Sequence, residues 1–171
     1  VSPLKDVLIA SPRILFVGIN PGLRSGAIGH HFGSPANPFW RLLHASGLPP
    51  ILLHPEEDAR LTEFGLALTN LCPRTTRTAA ELAPAELAAG RRALDRKIRR
   101  LKPRLVAFVG VSIYRVFFPK SQRPGAGPNP ETLHGSPLFA LPNPSGLNAS
   151  YPGFKHKLVW FRKLKARVSK P

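Results

Sequence analysis

The chain has 171 residues, and its 25 Lys and Arg against 9 Asp and Glu give a formal net charge of +16 at pH 7. This length is typical of one domain, and a hydrophobic content of 43% excludes a disordered basic tail. There is no run of about eighteen apolar residues and no signal-peptide pattern, so we expect a soluble intracellular protein without a membrane partner.

The excess of positive charge favours a polyanionic partner, because neutralising phosphates releases counterions. Nucleic acid is the expected partner; an anionic membrane surface is the weaker alternative, which is why no membrane partner is expected. Cys72 is the one cysteine, which excludes an internal disulfide and a multi-cysteine metal site. We therefore expect no metal site.

Four short apolar runs predict buried strands. Each is continuous rather than alternating in polarity, as expected for strands covered on both faces of a parallel sheet. They cover residues 13–19, 65–70, 105–110 and 137–141.

Helical patterns lie between and after these strands. They are predicted for residues 38–46, 55–65, 84–101, 111–118 and 154–168, on the basis of capping residues, proline stops and apolar spacing. Strands alternating with helices indicate a doubly wound α/β fold in one domain over 1–171, with 1–12 as an N-terminal extension and 153–171 as a basic C-terminal helix. The stretch 119–136, rich in Pro and Gly, is predicted to be a surface loop.

Two segments that follow predicted strands carry the unusual composition. The first reads GINPGL at 18–23 and continues through a Gly-rich stretch to Trp40, and the second reads LPNPSGLN at 141–148. Each places an Asn beside a Pro directly after an apolar strand. Ligands of open parallel sheets bind beyond the carboxyl ends of the strands, so the two segments are expected to face one pocket.

These segments, together with 65–71 and 74–76, resemble the motifs of the uracil-DNA glycosylase superfamily, and more narrowly of its mismatch-specific uracil/thymine-DNA glycosylase branch. The resemblance spans roughly residues 13 to 150. It implies a three-layer α/β/α domain with a central, mainly four-stranded parallel sheet. The implied activity is that of a monofunctional DNA glycosylase, which acts as a monomer without metal or cofactor.

The implied reaction flips uracil, or thymine or another damaged pyrimidine, out of double-stranded and mismatched DNA and hydrolyses the N-glycosidic bond. The product is an abasic site. Because positive charge develops on the sugar and negative charge on the base, the enzyme needs a held water and hydrogen-bond donors at the base. An asparagine amide oxygen accepts a hydrogen bond from water but cannot take up a proton, which predicts slow turnover. By resemblance, Asn20 is the catalytic residue, where faster relatives carry Asp.

The resemblance assigns roles to further residues. Phe32 matches the aromatic that stacks on the extruded base, and Asn143 the catalytic residue of the second motif. Ser25 is expected to contact the water or the base edge, and backbone N–H groups near Ile19 and Gly22 to stabilise oxygens of the departing base. The wedge that fills the gap left by the flipped base is expected at Ser145, Gly146, Leu147 and Asn148.

Two positions depart from the family motifs, and one further residue is a candidate outside them. Ala149 stands where the mismatch-specific branch often carries an Arg for the unpaired guanine, and Asn70, a candidate base-binding residue, stands where some relatives carry Lys. Glu81 follows the 74–76 segment and is a minor candidate for assisting catalysis.

Other interpretations of these residues remain open. Asn-Pro-Gly is by itself most often a turn, and the second motif is what favours catalysis. The pair His30 and His31 is expected to be solvated, Trp40 to be core or half-buried, and Cys72 to be a buried filler.

Two other functional classes also remain. A basic α/β module that binds nucleic acid without catalysis would bind tightly and salt-sensitively and leave the bases intact. A nucleotide or flavin binder is disfavoured, because neither Gly-rich segment has the Walker or dinucleotide spacing.

Overall fold

A computed structural model describes residues 4–121, 125–145 and 150–168. Its centre is one five-stranded sheet in the order β2-β1-β3-β5-β4. The strands are β1 (Ile14–Gly18), β2 (Leu66–Asn70), β3 (Val106–Val109), β4 (Gly127–Leu133) and β5 (Ser136–Leu141).

Strands β2, β1, β3 and β5 are parallel, so their carboxyl ends meet at one edge. These are the four predicted apolar runs, and nearly all of their residues are buried. The fifth strand, β4, was missed: it pairs antiparallel with β5 and lies within the stretch 119–136 predicted as a loop. Its sequence, GPNPETL, has two prolines and little apolar character, and pairing with β5 rather than local propensity makes it a strand.

Within the described residues, five α-helices flank the sheet. They are α1 (Leu23–Ile28), α2 (Phe39–Ala45), α3 (Pro84–Leu101), α4 (Val111–Phe117) and α5 (Phe154–Arg167). Four of them match predicted helices, whereas α1 lies in the Gly-rich segment and was not predicted. The helix predicted from Pro55 is a 3-10 helix over Pro55–Phe64, and a second short 3-10 helix covers Ala79–Glu81.

Two apolar cores lie on opposite faces of the sheet, because alternate residues of each strand point to opposite sides. On one face Phe16 and Leu68 join Phe39 of α2 and Phe161 of α5. On the other face the strands pack against α3 and α4, through residues such as Leu94, Ile98, Ile113 and Phe117. The architecture is therefore the predicted three-layer α/β/α arrangement, with five strands instead of four.

The segment before β1 also packs on the sheet. Val7 forms an antiparallel bridge with Leu68, with N···O distances of 2.9 and 2.7 Å. Asp6 accepts hydrogen bonds from Thr69 at 2.8 Å and from Lys97 of α3 at 2.5 Å. Among the described residues no helix is both long enough and apolar enough to cross a membrane.

Candidate active site

A cleft of about 500 Å³ lies at the carboxyl edge of the parallel strands. The segments that leave β1 and β5 form two of its walls, and the ends of β2 and β3 contribute Asn70 and Val109. The predicted site residues that line it are Ile19, Asn20, Gly22, Ser25, Phe32, Asn70, Asn143 and Ser145. The topology therefore brings the two Asn-Pro segments together in one cavity.

The side chain of Asn20 is held through its nitrogen. Nδ2 donates to the carbonyl oxygen of Arg74 at 2.9 Å and to Oγ1 of Thr76 at 2.7 Å. A carbonyl oxygen can only accept a hydrogen bond, so these contacts fix which end of the amide is nitrogen. Within residues 4–121, 125–145 and 150–168, Oδ1 receives no hydrogen bond. Asn20 therefore presents an unused acceptor.

The 74–76 segment that holds Asn20 is itself fixed to α3. The Arg74 guanidinium makes two hydrogen bonds of 2.8 Å to the Glu86 carboxylate, one to each oxygen. Hydrogen bonding from Arg74, helped by the Ala83 N–H, lowers the pKa of Glu86 to about 2. The Thr76 hydroxyl, buried at 4% exposure, donates in turn to the Thr78 carbonyl at 2.8 Å. Sequence reasoning gave no role to Thr76, because its partner lies 56 positions away.

Asn143 is held the opposite way. Its Oδ1 accepts hydrogen bonds from the backbone N–H and from the hydroxyl of Ser145, both at 3.0 Å. A backbone N–H can only donate, so the accepting atom must be the amide oxygen. In the part of the chain that the structure describes, Nδ2 of Asn143 has no acceptor. Asn143 therefore presents unused donors, complementary to the acceptor of Asn20.

Phe32 forms a half-buried aromatic surface in the cleft. Its ring stacks on Phe39 with centroids 4.0 Å apart and an interplanar angle of 19°. Its backbone is left-handed, with φ of +50°, which is unfavourable for a bulky residue. Hydrogen bonds on both sides of Phe32 hold this conformation. The carbonyl of His31 accepts from Trp40 Nε1 at 3.1 Å, and the N–H of Gly33 donates to Ser25 Oγ at 2.8 Å.

The prediction that the histidine pair is solvated is wrong for His31, which is 2% exposed. Its backbone N–H donates to Oδ2 of the buried Asp58 at 3.0 Å, and its Nε2 lies 2.7 Å from the Lys5 carbonyl. Because a carbonyl only accepts, Nε2 carries the proton and Nδ1 is the acceptor, 3.5 Å from Nδ2 of Asn70. Burial lowers the pKa of His31, against the opposing effects of the Lys5 carbonyl and Asp58, so the ring is neutral at pH 7.

Asp58 also accepts from Nδ1 of His30 at 3.2 Å, and so fixes both residues that precede Phe32. The predictions for Trp40 and Cys72 are confirmed by their burial, at 5% and 1% exposure. Sequence reasoning missed Asp58, which lies in the 3-10 helix Pro55–Phe64, because nothing local connects that helix with the cleft.

The structure places the remaining candidate residues differently: one is buried at the cleft, one lies away from it, and the rest fall outside the described residues. Ser25 is buried, and its Oγ accepts a hydrogen bond from the Gly33 N–H. Glu81 does not line the cleft, and its carboxylate accepts the Thr78 N–H at 2.8 Å at the start of a 3-10 helix. Gly146, Leu147 and Asn148 of the predicted wedge, with Ala149, lie outside the described residues.

The charge of the cleft is positive. Arg24 and Arg77 line it and are exposed, and none of its described lining residues is Asp or Glu. In the described ranges no three His, Cys, Asp or Glu side chains are grouped as a metal site would require. The arrangement offers an acceptor for water, a donor for an anionic leaving group and a flat apolar surface, within a field that attracts phosphates.

Two comparisons with known proteins bear on this site. The fold is similar to the solution NMR structure of a protein from Methanosarcina acetivorans described as a "putative Uracil DNA glycosylase", with a TM-score of 0.64 and 20% sequence identity over 95% of this chain and 97% of that one. Residues 6–165 match the family model of the uracil DNA glycosylase superfamily. The match includes both Asn-Pro segments and extends over nearly the whole chain, so this protein belongs to the uracil DNA glycosylase superfamily, whose members are DNA glycosylases.

Proposed function

We propose that this protein is a monofunctional, mismatch-specific type of uracil-DNA glycosylase. Acting as a monomer, it flips uracil, and thymine or another damaged pyrimidine, from double-stranded DNA and leaves an abasic site. The observation that carries the proposal is the pair of oppositely oriented amides in one cleft. Among the residues that the structure describes, the acceptor of Asn20 and the donors of Asn143 are unused.

In this mechanism Asn20 Oδ1 accepts a hydrogen bond from the attacking water and aligns it with C1′ of the deoxyribose. None of the described residues that line the cleft is Asp or Glu, so no carboxylate is proposed to remove a proton from the water before attack. The glycosidic bond is therefore proposed to break ahead of attack, which makes the sugar cationic. Once the water oxygen has bonded to C1′, the resulting oxonium loses one proton to solvent water, which leaves the 1′-hydroxyl of the abasic sugar. Positioning without proton transfer is consistent with a slow enzyme.

The departing base carries the bonding electrons as an anion. Asn143 Nδ2 is proposed to donate to an oxygen of that base, and the backbone N–H groups near Ile19 and Gly22 to share the same charge. One face of the Phe32 ring packs on Phe39, and the opposite face is proposed to stack on the base. The proposed wedge at 145–148 follows Asn143 directly in the sequence.

Ser25 and Asn70 are assigned less direct roles. Ser25 Oγ accepts from the Gly33 N–H, which supports the stacking ring, and its own O–H is proposed to contact the water or the base edge. Asn70 directs Nδ2 toward His31, so its Oδ1 is proposed to accept from a donor on the base edge.

The test is single-turnover release of uracil from duplexes with uracil opposite guanine and opposite adenine, using wild type and Asn20→Ala. Loss of one preorganised polar group costs about 2–4 kcal/mol in the transition state, which corresponds to roughly 30- to 1000-fold in rate. Affinity for the intact duplex should change little. The ratio between the two duplexes measures the mismatch preference.

Two results would contradict the proposal. Salt-sensitive DNA binding with no base release from any duplex would favour a non-catalytic binding module. Equal rates for wild type and Asn20→Ala would remove the assigned role of Asn20.

A further inference from the structure

A lysine is buried beside the second Asn-Pro segment. Lys157, in the first turns of α5, is 6% exposed, and its Nζ donates to the carbonyl oxygen of Pro144 at 2.9 Å. Within the described ranges it has no carboxylate partner. Burying an ammonium group with a single neutral acceptor is costly, so stability alone does not favour a lysine at this position.

The helix makes the position less favourable still. Lys157 is the fourth residue of α5, whose N-cap is Gly153 and whose first turn holds no acidic residue. The amino end of a helix carries partial positive charge and repels a cation. An apolar side chain of similar length would therefore be tolerated or preferred by the fold.

Among the described residues, the group that Lys157 holds lies between two cleft residues. Pro144 is buried, and it separates Asn143 from Ser145, whose N–H and hydroxyl hold the Asn143 amide. Proline has no N–H, so its carbonyl is its only backbone hydrogen-bonding group. Lys157 thus connects this turn to α5, which is anchored in the core by Phe161 and Leu164.

We infer that Lys157 is a positioning residue, which holds the 143–145 turn so that Asn143 directs its unused donors into the cleft. It acts through Pro144 and does not contact substrate. This inference rests on the proposed glycosylase function, and it adds a residue that no motif indicates.

The first test compares Lys157→Met with Lys155→Met, a matched loss of charge at an exposed position of the same helix. With enzyme in excess over a duplex carrying one G·U pair, Lys157→Met should release uracil about 10- to 100-fold more slowly, since small misplacements of catalytic groups have effects of this size. Its melting temperature should be unchanged or higher, because a buried charge is removed. Lys155→Met should equal wild type in both measurements.

Two further variants separate positioning from simple packing. Lys157→Gln keeps a neutral donor and should recover part of the lost rate. Asn143→Ala and the double variant Asn143→Ala/Lys157→Met should release uracil at the same rate, because Lys157 acts through Asn143. Additive losses in the double variant, or a melting temperature that falls together with the rate in Lys157→Met, would overturn the inference.

Amide hydrogen exchange at Ser145 gives a readout without DNA. Lys157→Met should exchange this amide faster than wild type and Lys155→Met do, while core amides stay protected. A wild type that releases no uracil would overturn the proposed function alone, and Ser145 exchange would then decide the role of Lys157. Unchanged exchange in Lys157→Met would overturn the positioning role.

Discussion

Within the described part of the chain, each of the two asparagines in the cleft is restrained at one end of its amide and not at the other. Asn20 is held by its nitrogen and Asn143 by its oxygen, so one residue type supplies an acceptor in one place and donors in another. Restraint at one end also removes the freedom of the amide to flip, which would exchange acceptor and donor. The neighbouring backbone therefore decides the chemistry of both residues.

Thr76 provides a test of this restraint at Asn20. Thr76→Val has nearly the same shape but neither accepts from Asn20 Nδ2 nor donates to the Thr78 carbonyl. We expect single-turnover uracil release to fall about tenfold, in line with the loss of one hydrogen bond of ~1–1.5 kcal/mol. Thr76→Ser keeps the hydroxyl and should retain most of the rate. A valine variant as fast as the serine variant would show that the Arg74 carbonyl is sufficient to orient Asn20.

The sequence indicated which residues line the cleft but not how they are held. Asn20, Phe32 and Asn143 lie in recognisable motifs directly after predicted strands, so topology alone brings them together. Their supporting contacts come from elsewhere in the chain: Thr76 for Asn20, and Asp58 for the residues before Phe32. Partners this far apart in sequence leave no local pattern, which is why His31 was expected in solvent.

At the scale of elements, the accuracy of prediction followed the strength of the local signal. Continuous apolar runs and capped amphipathic helices gave β1, β2, β3, β5, α2 and α3 within one or two residues. By contrast, α1 is a six-residue helix containing Gly26, and β4 contains Pro128 and Pro130. Pairing with β5 makes β4 a strand in spite of its low strand propensity, and α1 buries Ser25 and Gly26 in spite of its glycine.

Where α3 packs on the end of β2, replacing a helical glycine by alanine is expected to destabilise the protein rather than stabilise it. Gly90 lies in the middle of α3, where Ala would ordinarily stabilise a helix by ~1 kcal/mol. A Cβ at this position would lie 2.4 Å from the carbonyl oxygen of Leu71, just beyond β2. Gly90→Ala must push the helix away from the sheet and should lower the free energy of unfolding by about 1–3 kcal/mol, measured by urea denaturation.

The reverse substitution at the next residue is the control for this prediction. Ala89 is exposed, so Ala89→Gly should cost only the propensity difference of about 1 kcal/mol. A Gly90→Ala protein at least as stable as wild type would mean that α3 moves without strain.

At the scale of the whole molecule, the net charge of +16 does not by itself say where DNA binds. Arg24 and Arg77 are exposed at the cleft, at the carboxyl edge of the sheet. Arg99 and Arg100 end α3, which leads into the amino end of β3, so they lie near the opposite edge. If a flipped base enters the cleft, as proposed, the phosphates beside it lie near Arg24 and Arg77 rather than near Arg99 and Arg100.

Salt dependence measures this difference. Each lost phosphate contact lowers the slope of log affinity against log salt by about 0.9, so Arg24→Gln/Arg77→Gln should lower it by about 2. Arg99→Gln/Arg100→Gln removes the same charge and should leave the slope unchanged. Equal changes in the two double variants would indicate that the protein binds DNA through its overall field rather than through the cleft.

The backbone groups at the two edges of the sheet, β2 and β4, are only partly open to pairing with another chain. On the β2 side, Val7 is hydrogen-bonded to both the N–H and the carbonyl oxygen of Leu68. On the β4 side, Pro128 and Pro130 have no N–H, and the strand register shifts between Asn129 and Thr132. Open sheet edges are templates for intermolecular strand pairing and aggregation. Within the described part of the chain, the row of free backbone hydrogen-bonding groups is interrupted at each edge, by the bound segment at β2 and by the prolines at β4. Copies crowded together along a polyanion therefore meet no complete row of backbone groups on which to form a shared sheet.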